Sequence, residues 1–187
     1  MKLIETAIPD LFIVEPKVFE DSRGYFFENF SQKVFVENGI DISFVQDNES
    51  KSTKGVLRGL HYQLAPYAQA KLVRVISGCI LDVVVDIRQG SPTFGKYFTL
   101  ELSGENKLQL FIPKGFAHGF SVLSDEVIVN YKCDNFYQPE AERGILYNDP
   151  ELRIDWKIDL EQAIVSAKDK VNPTFSKAEM NFIYGKQ

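Results

Sequence analysis

The chain contains only two histidines, His61 and His118, and both stand in unusual settings. His61 sits in Arg58-Gly59-Leu60-His61-Tyr62-Gln63, and His118 in Pro113-Lys114-Gly115-Phe116-Ala117-His118-Gly119-Phe120. On an extended chain, alternation groups Phe116, His118 and Phe120 on one face. Taken alone, either histidine is by default structural, its nitrogens satisfied by neighbours. A metal site in a small barrel asks for several His and Glu ligands, usually with paired histidines on one strand. The chain has no His-x-His pair, so no metal is expected. Nucleophilic catalysis lacks support as well: there is no Gly-x-Ser-x-Gly. Cys79 and Cys133 lie in apolar, strand-like runs with no Cys-x-x-Cys, and read as buried free thiols. Phosphate-cradling Gly-rich loops and dinucleotide fingerprints are absent. A few histidines, tyrosines and lysines remain, an inventory suited to proton transfer.

The elements that must position these groups are short and β-rich. Leu11–Val14 leads to Pro16, and Tyr25–Phe30 follows Gly24. One helix is expected from Ser31 to Asn38, with Ser31 as N-cap and Gly39 as its stop. Lys71–Ile76 and Cys79–Ile87 are joined through Ser77-Gly78, which reads as a hairpin. Within the second run Leu81, Val83, Val85 and Ile87 share one face, and Asp82, Val84 and Asp86 the other. Tyr97–Leu102, Lys107–Ile112, Phe116–Leu123 and Glu126–Cys133 continue the series, with turns at Gly90, Gly95, Gly104 and Asp125. Many closely spaced short strands indicate an all-β sandwich or barrel rather than a βαβ sheet. Glu161–Ile164 and Ser176–Phe182 read as short helices packed outside.

Composition narrows the partners. The 187 residues suit one domain, and the 15 Phe and 8 Tyr favour strands and stacking surfaces. A net charge of −5 with scattered basic residues argues against nucleic acid or a membrane surface. Met1-Lys2-Leu3-Ile4-Glu5 reaches an acid before any signal-like apolar core builds, and no run approaches the roughly 20 apolar residues of a membrane span. A cytoplasmic protein is expected.

Longer motifs go further. Asp21-Ser22-Arg23-Gly24-Tyr25-Phe26-Phe27-Glu28, Gln46-Asp47-Asn48-Glu49-Ser50 and Gly55-Val56-Leu57-Arg58-Gly59-Leu60-His61-Tyr62-Gln63 are three of them. Others are Lys71-Leu72-Val73-Arg74-Val75, Asp82 to Arg88, Ser91 to Gly95, Ile112 to Phe120, Tyr131-Lys132-Cys133, Asn148-Asp149-Pro150 and Ser166 to Asp169. In this order, from about residue 5 to 170, they resemble the dTDP-4-dehydrorhamnose 3,5-epimerase family. The resemblance implies a cupin-like jelly-roll β-barrel with short peripheral and C-terminal helices, spanning 1–187 as a single sugar-nucleotide epimerase domain and paired as a homodimer. It implies cofactor-independent conversion of dTDP-4-dehydro-6-deoxy-D-glucose, by epimerisation at C3 and C5, to dTDP-4-dehydro-L-rhamnose. Both carbons lie α to the C4 ketone, so removing either proton leaves an enolate whose charge collects on O4.

By the same resemblance His61 matches the general base and Asp169 its carboxylate partner. Lys71 matches the group that stabilises O4, and Tyr131 the general acid on the opposite face. Arg23, Arg58 and Lys168 resemble contacts to the diphosphate and nucleotide, where an Arg fork fits phosphate oxygens. Gln46, Asn48, Glu28 and Glu142 resemble contacts to base and sugar hydroxyls. Phe26 and Tyr137 are candidates for stacking on thymine, and His118 for a further substrate contact. The Arg23–Glu28 segment is expected to reach the neighbouring subunit's site. Strict alternation puts Arg58 and His61 on opposite faces, which Gly59 can relieve by a bulge or bend. The alternatives are a mono-epimerase acting at C3 or C5 of a related 4-keto-6-deoxy sugar, or a non-catalytic or metal-dependent cupin.

Overall fold

In the computed structural model, which describes residues 1–185, the chain folds almost entirely into strands. In order these are β1 (Lys2–Glu5), β2 (Phe12–Glu15), β3 (Val18–Asp21), β4 (Gly24–Phe27), helix α1 (Gln32–Glu37), β5 (Gln46–Thr53), β6 (Val56–Gln63) and β7 (Lys71–Ser77). There follow β8 (Cys79–Asp86), β9 (Tyr97–Ser103), β10 (Gln109–Ile112), β11 (Phe116–Val122), β12 (Glu126–Cys133), β13 (Glu142–Gly144) and β14 (Ile164–Val165). The first sheet runs β1-β2-β10-β7-β12-β5; the second runs β13-β6-β11-β8-β9, with β14 added beside β6. β3 and β4 form a separate hairpin. The two large sheets pack face to face as a cupin-like jelly roll.

Apolar burial explains this arrangement. One core lies between the sheets and joins Val73, Val75, Ile80, Val84, Phe116, Phe120, Val127 and Val129. A second covers the outside of the second sheet, where Leu81, Val83 and Val85 meet Ile145, Trp156 and Phe182 from the C-terminal stretch. β8 is therefore buried on both faces, in the alternation its sequence shows. A third, smaller core seats Phe35 of α1 on Val14, Leu72 and Phe111 outside the first sheet. Among the described residues, no helix is long and apolar enough to cross a membrane.

Three expectations need correction. Ser77-Gly78 is not a hairpin: β7 belongs to the first sheet and β8 to the second. A single residue separates them, fewer than a two-residue hairpin turn requires. Gly78, at φ 84, instead turns the chain between sheets, against the Glu126 carbonyl. Glu161–Ile164 is not helical, because Ile164 and Val165 pair in parallel with Val56 and Leu57 at the edge of β6. Ser176–Phe182 retains only the end of a 3-10 turn, Phe175–Lys177. Beyond it Asn181 is tied to Ala65 by hydrogen bonds of 3.1 and 2.9 Å, which hold the chain extended. In α1, Ser31 stands at the N-cap position but its hydroxyl makes no capping bond.

Candidate active site

His61 enters the site from β6 through an irregularity. His118 of β11 pairs with His61, and Phe120 pairs with Arg58, so three steps along β6 oppose two along β11. This bulge brings Arg58 and His61 to the same face, despite their spacing. It depends on two glycines in contact: a Cβ on Gly59 would lie 2.5 Å from Gly119 Cα, and one on Gly119 2.6 Å from the Arg58 carbonyl oxygen. The Gly59 N–H then donates to Asp169 Oδ2 at 3.3 Å, while Asp169 Oδ1 lies 2.5 Å from His61 Nε2. Asp169 opens the 3-10 turn Asp169–Val171, and its own N–H is held by Ser166 Oγ at 3.0 Å. Burial pushes its carboxyl upward, but the His61 bond and charge, with Gly59 and Ser166, hold it below the usual carboxylate range. A carboxylate that accepts from Nε2–H leaves Nδ1 as the nitrogen able to take a proton.

The first sheet supplies the facing wall. On β12, Tyr131 pairs with Asn48 of β5, and Cys133 pairs with Gln46 on one side and Lys71 on the other. Lys71 Nζ lies 5.7 Å from the centre of the Tyr131 ring. Burial lowers the Lys71 ammonium below its ordinary value, opposed by Cys133, Asp82 and Glu142. Burial also raises the Tyr131 phenol, with Cys133 adding to the effect and Arg58 opposing it. His61, Lys71 and Tyr131 line one cavity of about 390 Å³, within the range of small-molecule sites.

At the cavity mouth several expected binding residues hold one another. Glu142 accepts from the Tyr137 hydroxyl at 2.6 Å and pairs with Lys168 Nζ at 2.5 Å. Burial raises its carboxyl, but Lys168 and Tyr137 outweigh this and lower it. Gln46 accepts from the Tyr137 N–H at 2.9 Å and donates to Asn48 at 3.1 Å. Arg58 reaches Ser52 Oγ at 3.1 Å, outside the cavity lining. His118 lies beneath the lining, its Nε2 2.7 Å from Asp82 Oδ1. Arg23, Phe26 and Glu28 are not brought to this cavity. They sit on or beside the β3–β4 hairpin, where Arg23 pairs with Asp21 at 2.6 Å and Phe26 is 71% exposed.

Tyr62, Gln63 and Gln69 also line the cavity and were not foreseen as site residues. The two-residue step from His61 is a signal for Gln63, whose amide donates to the Tyr67 carbonyl at 2.6 Å. Gln69 lies in a loop that carries no periodic signal, and it donates to the Asn135 carbonyl at 2.8 Å. Among the described residues, no three His, Cys, Asp or Glu side chains converge as metal ligands would.

The chain has counterparts among known proteins. A family profile described as dTDP-4-dehydrorhamnose 3,5-epimerase matches residues 5–177. The enzyme of that name from Shigella flexneri is 59% identical over 170 residues, covering 90% of this chain and 93% of its own. A crystal structure of the dTDP-4-dehydrorhamnose 3,5-epimerase of Elizabethkingia anophelis superposes with a TM-score of 0.91 at 54% identity, covering 94% and 97% of the two chains. The dTDP-6-deoxy-D-glucose-3,5-epimerase of Legionella pneumophila, solved with dTDP-4-keto-L-rhamnose, gives 0.90 at 52%, covering 94% and 93%.

Proposed function

The chain belongs to the dTDP-4-dehydrorhamnose 3,5-epimerase family and is an isomerase, and we propose that it inverts C3 and C5 of dTDP-4-dehydro-6-deoxy-D-glucose, giving dTDP-4-dehydro-L-rhamnose. The observation that carries the mechanism is that His61 and Tyr131 come from opposite sheets onto one cavity, with Lys71 beside Tyr131. His61 Nδ1 takes the proton from the carbon next to the ketone. The electron pair moves to O4, where the Lys71 ammonium balances the negative charge. Tyr131 returns a proton to the other face; His61 then gives its proton to water, Tyr131 takes one up from water, and the step repeats at the second carbon. Asp169 orients the His61 ring and lies where positive charge develops. Each step moves only protons, so the reaction is written without a cofactor or metal.

Around this centre Tyr137 stacks on the thymine, and Gln46, Asn48 and Glu142 meet the base and sugar hydroxyls. Arg58 and Lys168 meet the diphosphate, and His118 supports the sugar from below. The reading takes residues 1–187 as one domain and makes the enzyme a homodimer. The β3–β4 hairpin carries Arg23, Phe26 and Glu28 into the partner's cavity, which accounts for their exposure here. Two free cysteines, Cys79 and Cys133, suit a cytoplasmic setting.

Proton NMR of the 4-keto substrate in D₂O tests the reading. Deuterium entering both C3 and C5, with formation of the L-rhamno product, is expected. Exchange and inversion at one carbon would make the protein a mono-epimerase, and exchange at neither would remove the substrate assignment.

A further inference from the structure

The segment between β12 and β13 carries Tyr137, whose side chain is half exposed and so is held little by packing. Its backbone is held instead. The Phe136 carbonyl, in the peptide before Tyr137, accepts from Gln63 Nε2 at 3.3 Å. The Gln138 N–H, in the peptide after it, donates to Gln63 Oε1 at 2.8 Å. One side-chain amide therefore grips both peptides that flank the Tyr137 Cα. The Tyr137 N–H donates to Gln46 Oε1 of β5 at 2.9 Å, so glutamines of both sheets hold this one residue.

Gln63 is 5% exposed, although it lines the cavity two residues from His61. Its Nε2 also donates to the Tyr67 carbonyl at 2.6 Å. Both protons of that nitrogen are thus taken by carbonyls, which leaves none for a substrate. The strand pairing joins this clamp to the far end of the tyrosine. Gln63 of β6 lies opposite Glu142 of β13, and Glu142 accepts from the Tyr137 hydroxyl at 2.6 Å. One cross-strand pair fixes Tyr137 at its backbone and at its phenol.

We infer that Gln63 is a positioning residue for the nucleotide: it sets the Tyr137 backbone so that the ring already stands where a planar base stacks. This rests on the proposed stacking of Tyr137 on the thymine. A ring fixed beforehand loses little freedom when the base arrives, whereas a ring on a loose segment must be ordered during binding, which weakens it. Gln63 acts on the end of the substrate remote from the ketone, so its loss falls on KM rather than kcat.

The test is a double-mutant cycle on Gln63→Met and Tyr137→Ala, read as the Kd of dTDP by calorimetry and as KM and kcat of the 4-keto substrate. Q63M has similar bulk but no amide. It is expected to weaken dTDP about tenfold and raise KM by a similar factor, with kcat within about twofold. Y137A is expected to weaken dTDP at least as much. The double variant should bind dTDP as Y137A does, because Gln63 then has nothing left to position. Losses that multiply in the double variant overturn the inference, as does a Q63M effect on kcat with KM unchanged. If Y137A binds dTDP like the unaltered enzyme, the stacking reading fails and the role of Gln63 fails with it. If Y137A is weakened while Q63M is not, only the Gln63 inference falls. Should Q63M not fold, hydrogen exchange in the unaltered enzyme decides. The Gln138 N–H is expected to be protected before any ligand is added, and exchange at the rate of a free loop amide overturns the inference.

Discussion

As the proposed general acid, Tyr131 has to hold its proton until a carbanion needs it, and its surroundings favour that state. Burial raises the phenol, and its place on β12 sets it against the sheet opposite to His61. The two residues therefore differ in what their loss removes. His61→Ala removes the proposed base of either half of the reaction, so exchange and inversion are both expected to stop. Tyr131→Phe leaves the base in place. Deuterium delivered back by His61 still enters the face it came from, while inversion falls by roughly a hundredfold or more, the usual range for a lost general acid. NMR in D₂O reads both: deuterated but uninverted substrate is expected from Y131F. Equal loss of exchange and inversion would contradict its assignment as the acid.

At the scale of elements, the β6–β11 pairing determines whether His61 can work. Gly119 has no room for a side chain, since a Cβ there meets the Arg58 carbonyl at 2.6 Å and Gly59 Cα at 3.1 Å. Gly119→Ala pushes β6 away at the bulge that donates Gly59 N–H to Asp169. The expected cost is about 1–3 kcal/mol of stability by overpacking. A drop in kcat beyond that of a control of equal Tm is expected with it. Gly55→Ala is that control: φ is 79 but the space is open, so it strains the turn without moving His61. Equal kcat in the two variants would separate the bulge from catalysis. Sequence reading reached some of this and missed the rest for physical reasons. The two faces of β8 follow from alternation because both are buried, and they were readable. The shared face of Arg58 and His61 was legible only as a bulge or bend that Gly59 allows, since a bulge is counted only against the partner strand. Gly78 was misread because positive φ serves a corner between sheets as readily as a hairpin. Ile164–Val165 becomes a strand only because β6 offers an edge, a contact made far along the chain. Asp169 and Tyr131 were reached through motif resemblance. Asp82 was assigned to its face, but its burial against His118 exists only in the folded barrel.

For the whole molecule the question is whether one chain holds a complete site. Arg23, Phe26 and Glu28 stand apart from the cavity of their own chain, on an exposed hairpin with Phe19, Tyr25 and Phe26 uncovered. Uncovered aromatics beside Arg23, whose one partner is the exposed Asp21, make a surface that a second copy would cover. If the hairpin completes the partner's cavity, two different inactive chains should repair each other. An Arg23→Ala, Phe26→Ala chain keeps a sound cavity but carries a damaged hairpin; a His61→Ala chain has the reverse defect. In the mixed dimer one cavity then receives both an intact His61 and an intact hairpin. Random exchange makes about half the dimers mixed, each with one working site of two, so about a quarter of full activity is expected. Subunit exchange under mild denaturant followed by a turnover assay reads this directly. If activity stays at the sum of the two inactive parents while mass measurements show mixed dimers, the hairpin serves its own chain. The exposed aromatics would then belong to a docking face with no part in catalysis.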